Sequence, residues 1–138
     1  MKADDIVRVR EVMIGHVDII DGMSTIADAL QNMKYPETKL FVVEKRSEND
    51  EFGVLLLSDI ARKILAQDRS PERVNVYEVM VKPVVSVDPD MDIRYCARLF
   101  DNFHLSRAPV IENSSVLGVV TFTDLVLVGM LKQNKKYE

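Results

Sequence analysis

Apolar residues along this chain follow two rhythms, and each rhythm returns after a gap. A short extended piece is predicted at Val17–Ile20. It is followed by a helix whose apolar face is Ile26, Ala29, Leu30 and Met33, at the i, i+3, i+4, i+7 spacing of one helical stripe. Two strands come next, Leu40–Glu44 and Val54–Leu57, and then a second helix over Asp59–Ala66. The series then repeats. Val84–Val87 is extended, Ile93, Cys96, Ala97 and Phe100 mark a helix, Ala108–Ile111 and Val116–Phe122 are strands, and Asp124–Lys132 is a closing helix. The predicted order is β-α-β-β-α, twice. Ser24 and Asp90 are placed to start the first helix of each half, because their side-chain oxygens can accept from unpaired amides. The polar stretch QDRSPERVN, Gln67–Asn75, reads as the connector.

The residues themselves repeat as well as their pattern. GVLLLSDIA (Gly53–Ala61) returns as GVVTFTDLV (Gly118–Val126), and Asp124 stands as far from Asp59 as Gly118 does from Gly53. VREVMI (Val9–Ile14) returns as VYEVMV (Val76–Val81), and TKLFVVE (Thr38–Glu44) as SRAPVIE (Ser106–Glu112). Three blocks in one order indicate a duplication.

On these blocks the chain resembles a tandem pair of CBS domains, named for cystathionine β-synthase. The resemblance runs from about Val7 to Lys132 and rests on the V-x-E-V-M phrase, the A-P-V-I-E strand and the G-V-V-T-F-T-D turn. It implies a mixed α/β (α+β) fold of two β-α-β-β-α repeats related by pseudo-twofold symmetry, with the sheets packed together, the helices outside and two clefts between the repeats. The expected boundaries are 7–66 for the first repeat, 67–75 for a linker, 76–132 for the second repeat and 133–138 for a tail.

The G-V-V-T-F-T-D phrase carries the candidate chemistry. A strand running into a helix presents unpaired amides and the positive end of a dipole, which attract phosphate. Thr121 and Thr123 add hydroxyl donors there. Asp124 would repel phosphate, but a carboxylate accepts well from ribose hydroxyls. Each aspartate can equally serve as a helix cap. Arg107, before Ala108-Pro109, can pair with phosphate oxygens or lie in solvent as a strand-end cation. The family's G-x-x-T-x-x-D phrase falls on Gly118, Thr121 and Asp124. The resemblance further implies that Pro109 lines a purine pocket and that Val84 and Val85 supply apolar walls and backbone groups. His104 is a possible phosphate neighbour on the loop before Arg107.

The first half keeps Ser58, Asp59, Lys39 and Val17 as a weaker second set. It has Leu56 where the later half has Thr121, and Phe41 in place of Pro109.

Composition narrows the reading. The chain has 138 residues, 47% hydrophobic and 29% charged, with a net charge of −4, which suits a globular protein with its own core. No dense basic face precedes the Lys132–Lys136 patch, so a nucleic-acid partner is not expected. One cysteine, Cys96, rules out an internal disulfide and reads as a small buried hydrophobe. His16 and His104 do not align with each other across the repeat, so no metal site is expected. No catalytic signature, signal peptide or membrane-length apolar run appears, and a cytoplasmic location is the expectation.

The closing helix is apolar on all sides through Leu125, Val126, Leu127, Val128, Met130 and Leu131, whereas Arg62 and Lys63 leave its first-half counterpart a solvent face. A homodimer is therefore expected, as the resemblance also implies. The leading reading is a stand-alone regulatory sensor without catalysis, binding an adenosine nucleotide (AMP, ADP or ATP) or another adenosyl ligand and acting on a separate, unidentified protein. The alternatives are a ligand-free dimerising adaptor and, further off, a nucleotide hydrolase using Asp59 and Asp124 as paired carboxylates.

Overall fold

The computed structural model describes residues 6–132; the tail at 133–138, with most of the basic patch, lies outside them. The fold is mixed α/β and forms two compact units. One is Val17–Val84. The other joins the N-terminal stretch up to His16 with the chain from Val85 onward.

In the contiguous unit, β1 (Asp18–Ile20) runs parallel to β2 (Leu40–Val43), which is antiparallel to β3 (Gly53–Leu56). The helix α1 (Ile26–Gln31) buries Ile26, Ala27 and Ala29, while Leu30 is 41% exposed, so the apolar stripe is narrower than its spacing suggests. The helix α2 (Leu57–Ile60) continues in wider turns through Ala61–Leu65, where the Ala66 amide reaches back to the Ala61 carbonyl. A short helix, α3 (Val76–Val79), follows the connector. Ile26, Phe41, Leu55, Ile64, Val76 and Val79 share one core.

The connector is not a free tether. Its Val74 is buried, and the carbonyls of Val74 and Pro71 accept from the first amides of α1, Ile26 and Ala27. Orphan amides at a helix start need such partners.

The second unit repeats the plan with segments distant in sequence. The helix α4 (Ile93–Phe103) buries Ile93, Cys96 and Phe100 against β4 (Arg107–Glu112) and β5 (Ser115–Thr121), which pair antiparallel. Val87 joins β4 in parallel, as β1 joins β2. The extended piece expected over Val84–Val87 makes a bridge at Val87 rather than a strand. The helix α5 (Phe122–Asp124) continues as wider turns through Leu125–Met130.

The duplicated V-x-E-V-M phrases dock in an unexpected way. The first, at residues 9–14, packs in the unit built from the second repeat: Val9 and Val12 enter its core, and Ile14 pairs with Val119 through N–H···O bonds of 2.8 and 3.0 Å. The second, at 76–81, packs in the first repeat's unit, where Val81 pairs with Val54 at 2.8 and 2.9 Å. Each phrase thus extends a sheet made by the other repeat's strands.

That pairing explains the glycine opening each Gly-Val phrase. A Cβ on Gly118 would run into the carbonyl oxygen of Ile14, and one on Gly53 would lie 2.9 Å from the Met80 sulfur. Backbone cannot yield as a thioether can.

Helix starts also differ from expectation by one or two positions. Thr25 caps α1, its Oγ1 accepting from the Asp28 amide at 3.1 Å, because the Ser24 amide is held in a turn by the Asp21 carbonyl. Asp92 caps α4, accepting from the Arg94 amide at 2.9 Å, while Asp90 is drawn away to Arg10 at 2.8 Å.

Two outcomes follow. Gly118→Ala should lower stability by about 3 kcal/mol or more and Gly53→Ala by about 1 kcal/mol, read from urea midpoints. Burial pushes the Cys96 thiol up to about 12, so iodoacetamide at pH 8 should leave native protein unlabelled and label it fully in urea.

Candidate functional site

At the end of the β4–β5 hairpin the sequence-predicted cluster assembles within one unit. Arg107 opens β4 directly opposite Thr121, the last residue of β5. Thr121 is extended and buried, and its Oγ1 accepts from the Asp124 amide at 3.1 Å, capping α5. The Thr123 hydroxyl stands 3.3 Å from that of Thr121. The chain turns here because Thr121 keeps strand dihedrals while the next residue enters the helix, whose first amide, that of Phe122, donates to the Ser106 carbonyl.

Asp124 is half-buried, and among the described residues no hydrogen bond or ion pair holds its carboxylate. Arg107 is half-buried nearby. Burial lowers its hold on its proton, and the negative charge of Asp124 works in the opposite direction. A cation, two hydroxyls and an uncommitted carboxylate therefore share one turn. Such a set can receive an anion at the arginine and neutral donors at the carboxylate.

Pro109 is buried in β4, opposite Val119. In this register the Pro109 carbonyl accepts from Val87 and the Ile111 amide donates back to it. The missing proline N–H therefore falls on the side of residue 85, and the carbonyl of half-buried Val85 lacks its ladder donor. Val84 lies in the other unit, its amide donating to Phe52. His104 ends α4 in the left-handed conformation, φ 55°, and is exposed; among the described residues no hydrogen bond or ion pair ties its ring to Arg107 or Asp124.

The weaker set is built on the same frame but is closed. Asp59 is buried, one carboxylate oxygen accepting from the Leu56 amide at 3.2 Å and the other from Arg62 at 2.6 Å. Ser58 is exposed on α2. Lys39 is exposed and left-handed, its carbonyl accepting from Leu57, and Val17 is half-buried just before β1. Arg62 and Lys63 are not simply solvent-facing: the first is tied to Asp59, and Lys63 donates to the Val79 carbonyl at 3.1 Å. The i, i+3 spacing of Arg62 from Asp59 is the sequence signal for this pair, which the reading of Arg62 as a solvent-facing charge leaves out.

Elsewhere, Asp88, Asp90 and Glu112 gather near the surface, and Arg10 answers that charge at 2.8 Å from Asp90 and 3.9 Å from Glu112. An apolar groove of about 270 Å³ lies between α4 and the closing helix, lined by Ile93, Ala97, Phe122, Leu125, Val126 and Met130, with Arg94 at its margin. No helix among the described residues is long and apolar enough to cross a membrane.

The family model for the CBS domain matches residues 76–130. A hexameric CBS-CP12 protein from bloom-forming cyanobacteria is 36% identical, with a TM-score of 0.83, over 89% of this chain and 71% of that one. The chain belongs to the CBS-domain family. It is 28% identical to MK0525 of Methanopyrus kandleri over 86% of its own length and 63% of that protein's, and it spans about half of a further curated relative. The CBS pair of the protein MJ0100, solved with 5′-methylthioadenosine and S-adenosyl-L-methionine, has the same fold at 20% identity and a TM-score of 0.74.

The Thr121 cap is testable apart from any ligand. Thr121→Val should cost about 1 kcal/mol, and Leu56→Thr, which supplies the cap α2 lacks, should add up to about 1 kcal/mol, both by denaturant titration.

Proposed function

We propose that this chain is a regulatory CBS-pair module that binds an adenosine nucleotide or related adenosyl compound at the Arg107–Thr121–Asp124 turn, without turning it over. The observation that carries the reading is the Asp124 carboxylate, half-buried yet without a hydrogen-bond partner among the described residues, beside a half-buried arginine and two hydroxyls. Leaving a carboxylate unsatisfied at such a position costs stability, and a ligand's ribose hydroxyls would repay that by donating to it. Arg107 and the Thr123 hydroxyl would meet phosphate or another polar group on the 5′ side. The Val85 carbonyl, freed by Pro109, would accept from the base. An adenine amino group is the matching donor, and MJ0100 with its two adenosyl ligands supports that choice.

Catalysis is disfavoured because Asp59, the other carboxylate a hydrolase would use, is already bound to Arg62 and the Leu56 amide.

A second copy is proposed as the partner at the closing helix. Phe122, Val126, Leu127, Met130 and Leu131 are between 39% and 64% exposed there. An apolar surface of this kind favours association, and the cyanobacterial relative is hexameric. The regulated target would be a separate protein or a further part of a longer chain.

A thermal-shift panel of AMP, ADP, ATP, S-adenosylmethionine and NADH tests the reading. At a hundred times its dissociation constant the true ligand should add about 2.7 kcal/mol of stability. Asp124→Ala should abolish the gain, and 2′-deoxy-AMP should bind more weakly than AMP. A flat panel with ligand-free protein would instead favour a dimerising adaptor.

A further inference from the structure

The two repeats place different residues one helical turn after their shared aspartate: Arg62 after Asp59, and Leu127 after Asp124. Residues three apart on a helix lie on the same face. In the first repeat the arginine reaches Asp59 Oδ1 at 2.6 Å, and the Leu56 amide takes Oδ2 at 3.2 Å. The Asp59 side chain is 6% exposed beneath an Arg62 side chain that is 65% exposed. In the second repeat Leu127 is 64% exposed and offers Asp124 nothing.

We infer that Arg62 closes the first repeat to sugar-bearing ligands, so that the chain binds one nucleotide, at Asp124, and not two. The inference rests on reading Asp124 as the sugar acceptor. A ribose hydroxyl is a neutral donor. To reach Asp59 it would have to displace a charge-assisted bond of roughly twice its strength. Leu56 at the strand end removes the hydroxyl that Thr121 supplies in the other repeat, so nothing compensates. The closure comes from the chain itself, and Arg62 together with Leu56 sets the difference between the two acceptors. Arg62 is itself largely exposed and Asp59 keeps the Leu56 amide, so losing the arginine should weaken the fold without preventing folding.

Isothermal titration of the whole chain with AMP, and separately with S-adenosylmethionine, tests this. Wild type should bind one ligand per chain. Arg62→Leu combined with Leu56→Thr should bind two, with Arg62→Gln plus Leu56→Thr as the backup if the leucine variant aggregates. The reciprocal change, Leu127→Arg, should weaken the Asp124 site by about tenfold or more. Two sites in wild type, a folded double variant that still binds one, or unchanged affinity in Leu127→Arg would overturn the inference. Loss of a site on removing Arg62 would make that arginine a ligand contact, and would also overturn it. Wild type binding neither probe would defeat the sugar-site reading itself and this inference with it, a result distinct from finding two sites.

Discussion

The contact of the Ile14 backbone with Gly118 holds the second unit's sheet in place. Ile14 and Val119 exchange two hydrogen bonds, and the glycine beside them lets the strands close to bonding distance. With β5 held between Ile14 and β4, its last residue has one position, and Thr121 then meets Arg107 across the hairpin. The hydroxyl of Thr121 sets the first turn of the closing helix by taking the Asp124 amide. Position passes from sheet to cap to carboxylate, and each step is a short-range bond between named groups. The first unit has the same frame, with Val81 on β3 and Gly53 at the crossing.

On identical frames the two repeats differ in how much of their polar chemistry is already committed. Asp59 spends both oxygens inside the protein, and among the described residues Asp124 spends neither. The difference comes from two substitutions, Leu56 for Thr121 and Arg62 for Leu127. Neither disturbs the backbone, since both ends still pass from extended to helical dihedrals. A duplicated fold can therefore keep its shape while one copy loses its open valences. Fold and available polar chemistry vary here on separate residues.

Much of this was legible in the sequence. Three ordered blocks at nearly constant spacing gave the duplication. The short apolar runs and the period-3.6 stretches placed the strands and helices, and Thr121, Thr123, Asp124 and Arg107 do converge. The helix caps were misplaced by one or two residues, at Thr25 and Asp92, because several neighbouring oxygens compete and only the turn geometry chooses between them. Which sheet receives each V-x-E-V-M phrase was not visible, since a short apolar segment fits either core equally well. The glycines were the overlooked clue, marking where backbone must approach backbone. Arg62 was read as solvated because its charge was weighed without its neighbour one turn before.

The docking of residues 9–14 has a consequence for synthesis on the ribosome. The unit from Val17 to Val84 uses consecutive chain and can close as soon as it emerges. Val9, Val12 and Ile14, made earlier, have no strand to join until β5 has left the tunnel more than a hundred residues later. This apolar stretch is thus made before the contiguous unit yet finds its place after it, and a ribosome-bound chaperone would meet it uncovered until β5 emerges.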